Sequence, residues 1–175
     1  MSNIIISFGH TKDKPGAEGE SHTEYEFTKP WAERVYEIIK EKVENTILVP
    51  EGELKEKVEF INNNDPLFCV EIHFNANIPD ARGSESLHFP ESETGKRIAE
   101  KYQEQFEKRR IFQPNRGVKD GVYWSNGEIA GTLYLLRATT CPTVILEPEF
   151  MSNEETIMDN ENMGIDAIVQ ATLEI

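Results

Sequence analysis

Two histidines and two glutamates in this 175-residue chain carry side chains that can do chemistry together. They are His10 in Phe8-Gly9-His10, Glu24, His73 in Glu71-Ile72-His73-Phe74-Asn75-Ala76-Asn77, and Glu147 in Ile145-Leu146-Glu147-Pro148-Glu149-Phe150. Two neutral imidazoles and one carboxylate suffice to hold a catalytic zinc with one coordination position open, and a further unliganded carboxylate is a proton acceptor for a water there. The spacing alone says little, since 13 residues lie between His10 and Glu24 and 48 between Glu24 and His73. No self-sufficient H-E-x-x-H motif is present. Placement says more: His10, His73 and Glu147 each stand at or just after an apolar, β-branched run. The other two histidines, His22 and His88, have no comparable setting and read as structural.

The elements that must position these residues follow from periodicity. Ile4-Ile5-Ile6-Ser7-Phe8 reads as a buried strand stopped by Gly9, which leaves His10 just past a strand end. Phe27, Trp31, Val35, Ile38, Ile39 and Val43 fall at helical spacing. Pro30 is tolerable only in a first turn, so the helix is predicted to start near Thr28 or Lys29 with Glu24 at its mouth. Thr46 to Val49 is a second strand, 51–63 a helix, and Leu67 to Ile72 a third strand delivering His73. A strand is expected over Ser84 to Phe89 and a helix over Gly95 to Arg110, followed by a loop-rich stretch, 111–131. Strands over Thr132 to Leu136 and Thr143 to Leu146 come next, the second delivering Glu147, and 154–174 is helical with a break near Asn162 to Gly164. This alternation predicts an α/β fold, a mainly parallel twisted sheet of about six strands with helices on both faces. In such sheets ligands bind beyond the carboxyl ends of strands, where His10 and His73 would meet.

Composition bounds the rest. A formal charge of −14, from 32 acidic and 18 basic residues, repels polyanions, so nucleic acid and anionic lipid are not expected partners. No apolar run approaches the roughly 18 residues of a membrane span. The opening Met1-Ser2-Asn3 has no basic region and Ile4-Ile5-Ile6 is too short for a secretory signal, so synthesis in the cytoplasm without a signal peptide is expected. Cys69 and Cys141 lie within apolar runs and are expected as buried, reduced thiols. One compact domain over 1–175 with no second module is expected.

Four blocks run in order through nearly the whole chain: Gly9-His10 with Pro15-Gly16-Ala17, Glu24, Glu71-Ile72-His73-Phe74-Asn75-Ala76, and Ile145-Leu146-Glu147-Pro148-Glu149-Phe150-Met151-Ser152-Asn153. They resemble the G-H-x-x-x-x-P-G-A opening, the second ligand, the S-I-H-x-N-A block and the L-x-E-x-G-F-x-S-N block of the zinc-dependent N-acetylmuramoyl-L-alanine amidases of bacterial cell-wall enzymes and phage endolysins. Asn115-Arg116-Gly117-Val118-Lys119 and Tyr134-Leu135-Leu136-Arg137 also resemble the pattern between them. The resemblance implies one zinc per chain held by His10, Glu24 and His73, with Glu147 as the catalytic carboxylate. It further implies hydrolysis of the amide between N-acetylmuramic acid and L-alanine in peptidoglycan, with the peptide stem and glycan as the binding partners.

The chain departs from that pattern at three places: Ser7-Phe8 stands for Asp-Pro, Glu71 for Ser, and Glu149 for Gly. Glu149 competes with Glu147 as the base, since both would lie on one side of a continuing strand, and Glu26 competes with Glu24. The family register favours 147 and 24. Asn75 and Arg137 are candidate substrate contacts, and Tyr123 and Trp124 a candidate platform for sugar or peptide. The overall expectation is a monomeric phage endolysin acting on the wall after release. A carboxypeptidase-like zinc peptidase or deacylase and a non-catalytic peptidoglycan-binding virion protein are the alternatives.

Overall fold

The computed structural model describes residues 2–76 and 78–175; Asn77 of the His73 block lies outside them. Strand β1 (Asn3–Phe8) is followed by helix α1 (Glu24–Lys40), β2 (Thr46–Leu48), α2 (Leu54–Asn63), β3 (Pro66–Ile72) and β4 (Glu85–His88). Then come α3 (Glu93–Arg109), β5 (Gly117–Asp120), the hairpin strands β6 (Val122–Ser125) and β7 (Glu128–Thr132), α4 (Tyr134–Ala138) and β8 (Thr143–Glu147). The chain closes with a 3-10 turn (Met151–Asn153), α5 (Glu154–Asp159) and α6 (Glu161–Leu173). Six strands form one sheet in the order β2-β1-β3-β8-β4-β5. All neighbours are parallel except β4 with β8.

Strand alternation divides the core into two layers. Ile4, Ile6 and Phe8 of β1, Phe68, Val70 and Ile72 of β3, and Val144 and Leu146 of β8 face one layer, closed by α1, α3 and α6. Ile5, Cys69 and Ile145, the odd-numbered positions, face the other, thinner layer under α2 and α4. Helices therefore cover both faces, as the central strands' nearly continuous apolar runs require. The same alternation carries Ser7, Glu71, His73 and Glu147 onto the α2 and α4 side. Both cysteines are buried free thiols, as their setting predicted.

Three local expectations are corrected. Helix α1 begins at Glu24, four or five residues earlier than Pro30 suggested, because Glu26 folds back to accept from the Thr23 backbone amide (2.7 Å) and hydroxyl (3.0 Å). This capping closes the first turn and leaves Pro30 inside the helix. The stretch expected to be loop-rich, 111–131, is irregular only as far as residue 116 and then holds β5 and the β6-β7 hairpin. That hairpin turns at Asn126-Gly127, both in the left-handed region (φ 53° and 83°), the usual residue pair of a two-residue turn. The strand expected over Thr132 to Leu136 is instead the end of β7 and the short helix α4. Leu135 and Leu136 bury their side chains there, and a short apolar run cannot by periodicity tell a strand from a buried helical turn.

Trp31 of α1 joins the layers to the site. Its buried ring stands edge-on to Phe74 (centroids 5.0 Å apart, 87° between planes) and leans on Phe112 at 6.1 Å. Phe74 directly follows His73. Trp31→Ala is expected to lower unfolding free energy by about 3–5 kcal/mol, measured by urea titration, a loss below ~1 kcal/mol showing that the ring is not a keystone.

Candidate metal and catalytic site

Three chain segments meet beyond the carboxyl ends of β1, β3 and β8, in a cleft of about 630 Å³. Backbone bonds extend the sheet to its edge: the Gly9 amide donates to Ile72 O (2.8 Å) and the His73 amide to Leu146 O (2.8 Å). His73 and Glu147 thus emerge side by side, one residue past the Ile72↔Leu146 pair. Gly9 is required by close approach, since a Cβ there would lie 2.2 Å from the His73 ring. Gly16, at φ +82°, leaves the space in which Glu24 and His10 meet, 2.5 and 2.7 Å from where its Cβ would stand.

Glu24, buried at the first position of α1, is the centre of this cluster. Its Oε1 lies 2.9 Å from His73 Nδ1 and accepts from the Phe74 amide (3.0 Å); its Oε2 lies 2.8 Å from His10 Nε2 and accepts from the Ala17 amide (3.1 Å). Burial alone would push this carboxyl up, but the bonds and charge of the two imidazoles outweigh it and hold the group far below the usual carboxylate range. Ligand atoms of His10, Glu24 and His73 all lie within 4.8 Å of one another, a set that suits a metal ion. Glu26, by contrast, is exposed and used up in capping α1.

His73 is held from both edges. Its Nε2 lies 2.9 Å from Glu71 Oε1, while Glu71 Oε2 accepts from the Ser7 hydroxyl at 2.7 Å. Burial works against a charged His73, yet the carboxylate on each nitrogen outweighs it and raises the imidazole well above its ordinary value. Burial likewise disfavours the Glu71 anion, but the contact with His73 prevails and keeps its pKa low. On the facing side of the cleft, the buried Lys57 ammonium of α2 donates to the carbonyls of Phe8 and of His10 (3.1 Å). It thereby clamps a turn in which His10 adopts the left-handed region, φ 67°.

Glu147 differs from these carboxylates in having nothing to hold. Among the described residues its Oε2 is the buried side-chain oxygen without a hydrogen-bond partner. Burial pushes its carboxyl up to about 8; His73 opposes this, and Glu24, Glu85 and Glu71 add to it. Glu149 is saturated instead, its Oε1 accepting from Gly83 N (2.8 Å), Phe150 N (2.9 Å) and Asn153 Nδ2 (3.2 Å). It shapes the loop and does not line the cleft.

Asn75 lines the cleft and donates to Glu85 Oε1 (3.0 Å), whose Oε2 binds Arg116 (2.7 Å) and Lys119 (2.6 Å). Arg137 lies outside the cleft lining, exposed on α4, with its guanidinium 5.2 Å from the ring centre of Tyr134, which does line it. His22 pairs with Glu154, and buried His88 contacts the Phe89 carbonyl with Nδ1 (2.8 Å). Tyr123 and Trp124 are 49% and 63% exposed on the β6-β7 hairpin. Glu71 and Lys57 were not singled out from sequence as site residues, although both carried a signal. Glu71 interrupts an otherwise apolar strand, and Lys57 shares the helical stripe of Leu54 and Ile61.

A profile of the N-acetylmuramoyl-L-alanine amidase family matches residues 4–171. No curated protein matches in sequence. Among solved structures, the chain is similar to the catalytic domain of CwlV, an N-acetylmuramoyl-L-alanine amidase from Bacillus (Paenibacillus) polymyxa var. colistinus. The TM-score is 0.83 at 24% identity, over 99% of this chain and 97% of that one. The CwlD amidase of Clostridioides difficile, solved in complex with the GerS lipoprotein, gives 0.82 at 22% identity, covering 99% and 98%. The catalytic domain of the CD27L endolysin, which targets Clostridia difficile, gives 0.75 at 23%, covering 99% and 96%. At these identities the likeness establishes the fold.

The Glu147 environment has a consequence for stability. Its folded carboxyl holds a proton more tightly than the unfolded chain, whose value is near 4.5. Its contribution is therefore most favourable below about pH 4.5 and is lost as pH rises to about 8. In chelator-treated protein, Glu147→Gln is expected to be more stable than the parent above pH 8, by a few kcal/mol, and to match it near pH 4.5. Urea midpoints across this range check it; a gap that does not widen with pH contradicts the buried, unpaired carboxylate.

Proposed function

Since the chain belongs to the N-acetylmuramoyl-L-alanine amidase family, we propose that it uses one zinc ion to hydrolyse the amide between the lactyl group of N-acetylmuramic acid and L-alanine in peptidoglycan. The observation carrying this reading is the pairing of a three-donor cluster, His10, Glu24 and His73, with a neighbouring carboxylate oxygen, Oε2 of Glu147, that has no hydrogen-bond partner among the described residues. Two imidazoles and one anion are the donor set a catalytic zinc takes. Zinc held there would supply Lewis acidity, acidifying a water and polarising the scissile carbonyl.

The chain's own residues do the remaining work. Glu147, with Oε2 free, accepts the proton of the attacking water and hands it to the departing L-alanine nitrogen. A carboxyl displaced toward neutral pH suits both halves of that transfer, first as base and then as acid. Glu24 and Glu71, already saturated by hydrogen bonds, cannot exchange roles with it. Asn75 on the cleft wall, and Arg137 against Tyr134, are the proposed contacts for the peptide stem. We further read the chain as the catalytic domain of a monomeric phage endolysin made in the cytoplasm and acting on the wall after release. The fold it shares with the CD27L endolysin catalytic domain supports that assignment.

Chelation is expected to abolish release of stem peptides from purified peptidoglycan, and zinc to restore it. Glu147→Gln is expected to lower kcat by about 10²–10⁴-fold with metal content unchanged, whereas Glu149→Gln leaves an intact proton acceptor in the cleft. The products should carry new L-alanine amino termini on unshortened stems. Free terminal amino acids, or full activity in metal-free protein, would refute the reading.

A further inference from the structure

Glu71 is a buried carboxylate that neither the donor cluster nor the proposed proton transfer uses. It sits in β3 between the apolar Val70 and Ile72, 3% exposed, and the sheet places it directly opposite Ser7 of β1. Both its oxygens are committed: Oε1 to His73 Nε2 at 2.9 Å and Oε2 to the Ser7 hydroxyl at 2.7 Å. It is not part of the donor cluster, which is His10, Glu24 and His73. Both Ser7 and Glu71 stand at positions where this chain departs from the family pattern.

We propose that Glu71, oriented by Ser7, is a positioning residue that grips His73 through Nε2 and so aims Nδ1 at the metal. An imidazole has two nitrogens on different edges, and a hydrogen bond accepted from one settles which of them is free to ligate. His73 Nδ1 is the nitrogen turned toward Glu24, at 2.9 Å, and Nε2 is the one turned away to Glu71. With Nε2 held, the ring cannot swing about its Cβ–Cγ bond without breaking a half-buried, charge-assisted contact. A carboxylate on the far nitrogen also makes the ligating nitrogen a stronger donor. The charge is balanced across the same layer by Lys57, which holds the backbone of the turn bearing His10. The pair therefore fixes both histidines from behind, one by its ring and one by its main chain.

The inference rests on the zinc reading above, and metal affinity separates the two. Zinc dissociation constants by chelator competition, and visible absorption spectra of the cobalt-substituted protein, are measured for the parent, Glu71→Gln and Ser7→Ala. The parent is expected to bind zinc, and Glu71→Gln to bind it about 10–100-fold more weakly with an altered cobalt spectrum. Ser7→Ala, which keeps the carboxylate but frees Oε2, is expected to shift both readouts the same way by less. A parent that binds no zinc overturns the metal reading and this inference with it. A parent that binds zinc beside a Glu71→Gln protein of equal affinity and identical cobalt spectrum overturns the inference alone. Should Glu71→Gln fail to fold, an unchanged affinity and spectrum in Ser7→Ala overturns it.

Discussion

One buried carboxylate ties the site together. Glu24 meets two imidazole nitrogens and accepts from two backbone amides, and those four groups belong to the turn after β1, the loop before α1 and the end of β3. Burying a carboxylate is costly unless every lone pair finds a partner, so the cost itself makes the arrangement specific. A conformation that loses one segment leaves a charge stranded. The small residues around it follow from the same demand, because Gly9 and Gly16 are the positions where any side chain would occupy the space of His73, His10 or Glu24 itself.

Glu24, Glu71 and Glu147 all line the cleft and differ in how they are bonded. Glu24 and Glu71 are ringed by hydrogen-bonding groups and are held low in spite of burial, whereas Glu147 has an oxygen, Oε2, without a partner among the described residues and is displaced upward. Environment separates carboxylates where chemistry does not, and on the proposed mechanism the saturated ones hold while the unsatisfied one moves protons. The unsatisfied oxygen also costs stability, the usual exchange at a reactive site.

The sequence made the site more legible than the chain's local turns. Apolar runs ending at Gly9, His73 and Glu147 were enough to place three of the four key side chains at strand ends, because a buried parallel strand is readable without its neighbours. What resisted reading depended on contacts between distant segments. Proline at position 30 argued for a late helix start until Glu26 was seen to cap Thr23. The Asn126-Gly127 pair is a local hairpin signal flanked by strands of only four and five residues, and the Leu135-Leu136 run lacks the length to declare itself helical. The bond from Glu71 to Ser7 spans 64 residues and is set by sheet register alone, so no local pattern could disclose it. The family register favoured Glu147 over Glu149, and the oxygens of the two are bonded differently in the fold, which no local pattern discloses.

Register explains how the larger core, which reaches the cleft through Phe74, governs the site. Side chains alternate along each strand, so Ser7, Glu71, His73 and Glu147 point to the α2 and α4 side only while Phe8, Ile72 and Leu146 point to the other. A one-residue slip of β3 or β8 would turn the polar set into the thick apolar layer and expose Phe68, Val70, Ile72 and Leu146 to the cleft. Large side chains packed beneath α1, α3 and α6 forbid that slip, because both errors are made at once. The layer under α2 and α4 buries a smaller apolar set, which includes Ile5, Ile61, Leu135 and Ile145. Precision at the carboxyl edge is therefore supplied from behind, by the apolar alternation on the opposite face of the same strands.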